Sequence, residues 1–296
     1  MCVPRLCASS PKTRGFGPQR RCLHSRTRTR TPAPAPPMPS EPLPPFNRAL
    51  VSHAREFRHP AYAARRAELQ ALSDELAGAG LRHRRDHQRD WENCHVLLGL
   101  EAAFGGLPER LLDVGGGNSV VATYLARRGV DVTVLDVDRG ALADLTHNAS
   151  ALGLADRLRG VWGGLGRWPL DDGRFPALLS ISVIEGILRS RRAEHFAEMR
   201  RVLAPGGHLF LTFDYGPGAR FVSDPPTTPE EVERDLVAAS GLERQGAPFP
   251  APAFEDALGP PIKALVPTLD GQDLRAIEYT FGALHLARPA QRHPTG

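Results

Sequence analysis

Leu111-Leu112-Asp113-Val114-Gly115-Gly116-Gly117-Asn118-Ser119 is the stretch on which the fold turns. An apolar run holding one carboxylate passes into three consecutive glycines, and Val120 to Arg128 then reads as a helix. Glycine is needed where a chain turns sharply, or where a ligand must lie against the backbone with no Cβ in the way. The spacing departs from the dinucleotide fingerprint, whose third glycine would fall at Val120 when read from Gly115 and Gly117.

Outward from this loop the chain alternates short apolar runs with amphipathic ones. Arg110 to Val114, Asp131 to Val137, Ala177 to Val183 and His208 to Asp214 read as strands, with a weaker one near Leu158 to Trp162. Arg139 to Leu152 and Arg191 to Leu203 read as the helices between them. Such alternation predicts βαβ units and a mainly parallel sheet. Upstream, Leu69, Leu72 and Leu76 form a stripe at helical spacing within His59 to Leu81. A polar run, Arg82 to Asp90, leads into a second helix, Trp91 to Phe104, closed by Gly105, Gly106 and Pro108. A Pro-rich stretch follows Tyr215, then a helix around Pro229 to Ser240 and a last apolar strand, Ala276 to Ala287.

Charge is unevenly spread over the 296 residues, whose formal net charge is +4. Eight basic residues and no acidic one lie between Met1 and Pro37, which leaves 29 basic against 33 acidic residues after that point. The remaining chain is mildly acidic, which counts against a nucleic-acid-binding surface. Residues 1–45, rich in Arg, Ser, Thr and Pro, are expected to be disordered. An over-extended start, with Met38 as the true one, explains such a leader; a transit peptide or a basic tail are the alternatives. No apolar run reaches the roughly 18 residues of a membrane span, and the best candidate, Ala177 to Leu188, contains Glu185. Three of the four cysteines lie in the leader and only Cys94 in the body, so no disulfide framework is expected. The compartment expected is the cytoplasm.

A second carboxylate adds independent weight. Val132-Thr133-Val134-Leu135-Asp136 ends in an acid about twenty residues beyond the glycines, where it can accept hydrogen bonds from both hydroxyls of a ribose. Asp138 is expected instead to cap the following helix. Together these segments resemble the class I S-adenosylmethionine-dependent methyltransferases, whose loop reads acid, any, Gly, any, Gly, any, Gly. Asp113, Gly115 and Gly117 match, and Ser119 stands at the third glycine. The resemblance continues through Asn148 to Arg157, through Leu179 to Glu185, and through Met199 to Leu209 with its Leu-x-Pro-Gly-Gly turn. It implies a Rossmann-like, doubly wound, mostly parallel seven-stranded sheet with an antiparallel last strand, preceded by a helical N-terminal cap. The domains expected are the leader (1–45), the cap (46–106) and an S-adenosylmethionine-binding domain (107–290).

The same resemblance implies S-adenosylmethionine as cofactor, held by Asp113, Gly115, Gly116, Gly117, Asp136 and Val137. The third strand of the family leads to an acid at the adenine; here Val161-Trp162-Gly163-Gly164 has none. Trp162 either covers the adenine or is an ordinary core aromatic. The fourth strand often ends in Glu-His and here ends in Glu185-Gly186.

Ligands of open α/β sheets sit beyond the carboxyl ends of the strands. Glu185, Asp214 and Tyr215 occupy such ends and are the candidate catalytic groups, with helix capping or a solvated end as the plain alternative. Trp91 and Tyr215 are the candidate acceptor contacts, with an ordinary packed Trp as the plain alternative for Trp91. His83 and His87, four apart beside Asp86 and Asp90, suit a solvated polar stretch better than a metal site, and no metal is expected. The Asn/Asp-Pro-Pro-aromatic tetrad of base amino methylation is absent after the fourth strand, and no Pro-Cys nucleophile occurs. The expected acceptor is therefore a small molecule, sugar or natural product. A cofactor-binding partner that no longer turns over and an NAD-dependent oxidoreductase are the competing readings.

Overall fold

A computed structural model of the protein describes residues 42–50, 53–216, 224–249, 262–267 and 274–290. Most of the expected basic leader, up to residue 41, lies outside the described residues. Those described all belong to one unit, Met38–Gly296.

The chain enters through a two-residue strand β1 (Arg48–Ala49), a short helix α1 (His53–Glu56) and a long one, α2 (Pro60–Gly78). Pro60 at the first turn of α2 has no N–H to leave unsatisfied, and the His59 side chain accepts from the Ala61 amide. A 3-10 turn at His87–Arg89 leads into α3 (Asp90–Phe104), which ends at Gly105 in the left-handed region, φ 64°. The α/β part follows: β2 (Arg110–Val114), α4 (Val120–Arg127), β3 (Asp131–Asp136), α5 (Arg139–Ala151), β4 (Leu158–Trp162) and β5 (Phe175–Ile181). Then come α6 (Arg189–Val202), β6 (Leu203–Tyr215), α7 (Pro229–Val232) continuing as a π-helical turn, β7 (Glu243–Arg244), β8 (Ile262–Pro267) and β9 (Leu274–Ala287).

The strand order is β1-β9-β6-β5-β2-β3-β4. β2 pairs in parallel with β3 and β5, β3 with β4, and β5 with β6, whereas β9 runs antiparallel to β6. The order reverses at β2, between β3 and β5, which opens a crevice at its carboxyl end. Among the described residues this path holds seven strands, as expected, and two more, β7 and β8, lie off it. β1, β7 and β8 all pair with β9, and the first two, at two residues each, are too short to carry an alternating pattern.

Two apolar layers sandwich the sheet. On one face Leu69 and Leu76 of α2, Leu97 and Leu100 of α3 and Val121 of α4 join Leu111 and Val132 in one buried cluster. On the other, Phe196, Met199 and Val202 of α6 pack with Leu112, Leu178 and Leu209. Each such side chain taken fully from water contributes about 1.5–3 kcal/mol. With helices on both faces, β2 reads as a nearly continuous apolar run, as the opening stretch of sequence requires. The Pro-Gly-Gly turn is drawn into the start of β6, where the pairing with β5 skips from Leu203 to His208.

Candidate active site

The glycine loop leaves β2 at the reversal point. Gly115 and Gly117 have φ of 74° and 54°, a region that side-chain-bearing residues avoid. Contact is as decisive as conformation: a Cβ on Gly116 would lie 2.1 Å from Asp113 Oδ2. Ser119, at the third glycine position, caps α4 by accepting from the Ala122 amide at 3.3 Å.

Two carboxylates flank this loop. Asp113 is buried, its Oδ1 has no hydrogen-bond partner among the described residues, and Ser119 Oγ stands 3.5 Å from its Oδ2. Burial, and then the charge of Asp136, push its carboxyl up to about 7. It faces a cavity of about 50 Å³ together with Arg84, Arg85, Gly115 and Gly116. Asp136 ends β3, where one oxygen accepts the Asp138 amide at 2.8 Å and the carboxylate borders Gly117. It lines an open cleft of about 500 Å³. Asp138 caps α5 by accepting from the Gly140 and Ala141 amides.

Beyond Asp136, Val137 is 66% and Trp162 53% exposed, so the core reading of Trp162 does not hold. The indole N–H donates to the Val137 carbonyl at 3.2 Å, and the Arg139 guanidinium lies 4.0 Å from the ring centre. These side chains form an exposed apolar shelf beside the loop, and no acid follows β4, where Gly163 and Gly164 stand.

The carboxyl ends of β5 and β6 meet the start of α3 at a second cluster of acids. Glu92 is fully buried; its Oε1 accepts from Ser182 Oγ at 2.6 Å and Thr212 Oγ1 at 2.5 Å, and Arg89 Nη1 reaches its Oε2 at 3.3 Å. Burial raises its carboxyl above the usual range. Ser182 has φ 50°, an uncommon value for a residue with a side chain, and its amide donates to Thr212 O at 3.1 Å. Glu185 is buried, and its Oε2 lacks a hydrogen-bond partner among the described residues. Burial and the charge of Asp214 push its carboxyl up to about 8. Arg89 faces Glu92, Asp214 and Glu185 together.

Two expected contacts are relocated. Trp91 is fully buried, stacked on His95 with ring centres 4.6 Å apart, so it is enclosed in the interior and the neighbouring Glu92 faces the strand ends instead. Tyr215 follows Asp214 along β6 and points to the opposite face, where it packs against Phe249 at 5.0 Å. Its hydroxyl, pushed up to about 12 chiefly by burial, has Glu230 and Glu231 as its charged neighbours rather than Glu185. Arg89, Ser182 and Thr212 were not expected, and neither was Arg192. That buried guanidinium donates to the carbonyls of Ile184 and Ile187 and to that of Asp224, fixing the turn that carries Glu185. His83 bonds Ser73 at 2.7 Å, and no cluster fit to hold a metal ion occurs among the described residues.

Residues 112–211 match the model of a family described as a methyltransferase domain, a span running from β2 to β6. A malonyl-[acyl-carrier protein] O-methyltransferase of Geobacter sulfurreducens is 36% identical over 41% of this chain and 44% of its own. A release factor glutamine methyltransferase of Nitratidesulfovibrio vulgaris is 32% identical over 52% of this chain and 61% of its own. The chain thus spans about half the length of the curated relatives it matches. Among solved structures, the [4+2]-cyclase SpnF superposes with a TM-score of 0.50 at 18% identity, over 75% of this chain and 94% of that one. That likeness concerns the fold alone.

Proposed function

We propose that this chain, which belongs to the class I S-adenosylmethionine-dependent methyltransferases, binds S-adenosylmethionine across the glycine loop and methylates a small-molecule, sugar or natural-product acceptor. The observation that carries the reading is the cradle itself: a loop with Gly115 and Gly117 in the left-handed region and a Gly116 whose Cβ would meet the Asp113 carboxylate, set between two carboxylates. Asp113, with a buried oxygen lacking a partner, suits the ammonium of the methionine end. Asp136 suits the ribose hydroxyls, two acceptors for two donors. Val137 and Trp162 offer the shelf for the adenine, and the cap is assigned to residues 46–106.

Bound there, the cofactor supplies a sulfonium methyl open to in-line attack. The protein then has chiefly to position the acceptor and take its proton. Glu185, buried and held near 8, is the group suited to receive that proton as the acceptor oxygen or nitrogen bonds to carbon. Asp214, Glu92 and Arg89 set the charge around it. The relatives are named for acceptors as different as malonyl-[acyl-carrier protein] and a release factor glutamine, so relationship alone selects none. The mildly acidic body disfavours nucleic acid. No helix among the described residues is long and apolar enough to cross a membrane.

A second reading, cofactor binding without turnover, is favoured by one observation: glycines stand after β4 where the family carries an acid. Methyl-labelled S-adenosylmethionine incubated with the full chain and a broad acceptor panel separates the two. Label in any acceptor, reduced about 100-fold or more by E185Q, supports the first. Label in none, from a protein that binds the cofactor, supports the second.

A further inference from the structure

The segment between α2 and α3 is strapped against the glycine loop. The Arg84 amide donates to Asn118 O at 2.7 Å, the Val120 amide to Arg84 O at 3.3 Å, and the side-chain amides of Asn118 and Asn148 both donate to Arg82 O. The strap turns Arg85 inward, where its side chain is 4% exposed. Only Nη2 has a partner, Asp90 Oδ1 at 3.2 Å, while Nε and Nη1 are buried with none among the described residues. Asp90 cannot neutralise Arg85 alone, because the same carboxylate takes Arg66 Nε at 2.9 Å. A buried guanidinium with orphaned donors is unfavourable until an anion completes it.

Arg85 lines the same cavity as Asp113, whose Oδ1 also lacks a partner. At about 50 Å³ the cavity has room for a head group, not for a nucleoside. A cation-seeking carboxylate and an anion-seeking fork on one small cavity are complementary to the zwitterionic end of an α-amino acid. We infer that Arg85 binds the α-carboxylate of the cofactor's methionine end, opposite Asp113 on the ammonium, so that cofactor recognition depends on that carboxylate. The inference rests on the S-adenosylmethionine reading above. A carboxylate on the acceptor is the other source of the same chemistry, and ligand pairs measured without acceptor distinguish the two.

The test is calorimetric titration of the full chain, without acceptor, with S-adenosylhomocysteine and with 5′-S-(3-aminopropyl)-5′-thioadenosine, which lacks only the carboxylate. Wild type is expected to prefer S-adenosylhomocysteine about 10- to 100-fold. R85M is expected to shrink that preference to about threefold or less by weakening S-adenosylhomocysteine alone, its unchanged affinity for the aminopropyl compound showing an intact site. R85K, which keeps the charge and loses the planar fork, is expected in between, and it carries the comparison if R85M does not fold. A preference that survives both substitutions overturns the role of Arg85. A wild type that binds both ligands equally overturns it too, and directs attention to an acceptor carboxylate. A wild type that binds neither removes the cofactor reading and the inference with it.

Discussion

The two ends of the crevice are built in opposite ways. At the glycine-loop end, Asp113, Gly115 to Gly117 and Asp136 come from adjacent strands, and the backbone does most of the shaping. At the end formed by α3, β5 and β6, side chains from distant parts of the chain converge: Glu92 of α3 accepts from Thr212, 120 residues away, and from Ser182, 90 residues away. The first kind of site is fixed by local chain geometry. The second exists only once α3, β5 and β6 have packed, so its parts hold the fold as well as face the crevice.

That contrast makes Glu92 the position of largest expected effect. Removing a fully buried carboxylate takes one of its acidic partners from Arg89 and the shared acceptor from the Ser182 and Thr212 hydroxyls, and E92A is expected to lose about 3–5 kcal/mol of stability in urea unfolding. A loss under about 1 kcal/mol would break the comparison, since the Glu92 cluster would then contribute little to packing. The converse holds for Asp136. D136A is expected to unfold like wild type while binding S-adenosylhomocysteine about 30- to 1000-fold more weakly, or about 2–4 kcal/mol. Affinity within about twofold of wild type would remove Asp136 from the site.

Titration sharpens the same distinction. Burial raises the carboxyls of Asp113 to about 7 and Glu185 to about 8, against values near 4 in the unfolded chain. A raised acid adds stability that is complete below the unfolded value and is lost as pH climbs through the folded one. These two groups are therefore expected to lower the melting temperature of the ligand-free protein progressively between about pH 4 and 8. An ammonium at Asp113 favours the ionised form, so affinity for S-adenosylhomocysteine should rise about tenfold from pH 6 to 8. D113N is expected to flatten that rise; its persistence would place the amino end elsewhere. The smallest effect belongs to Trp162, exposed at the rim. W162A is expected to change stability by less than about 0.5 kcal/mol and to weaken the ligand roughly fivefold, the low end for stacking of a base on an aromatic ring.

The same contrast explains what could be read in advance. β2, the glycine loop, Asp113, Asp136 and the Asp138 cap were legible because each rests on neighbours within a few residues. α3 was legible as a helix, but Trp91, Glu92, Cys94, His95 and Val96 are all buried, so no polar stripe told which of Trp91 and Glu92 faced the strand ends. Tyr215 was adopted along with Asp214 although alternation along a strand sends the two to opposite faces. In α6 the arginines at 189, 191, 192, 200 and 201 read as a solvated face, and nothing in that charge run marks Arg192 as the buried one. Arg85 likewise sat in a polar run, and only the strap against Asn118 turns it inward.

The glycine cradle between Asp113 and Asp136 is proposed to hold S-adenosylmethionine. Calorimetric titration of the wild-type chain with S-adenosylmethionine, S-adenosylhomocysteine and NAD tests it most directly. Micromolar binding of the first two at one site, and none of NAD, is the expected result. A folded protein that takes up neither sulfur compound, or that binds NAD in their place, would contradict it.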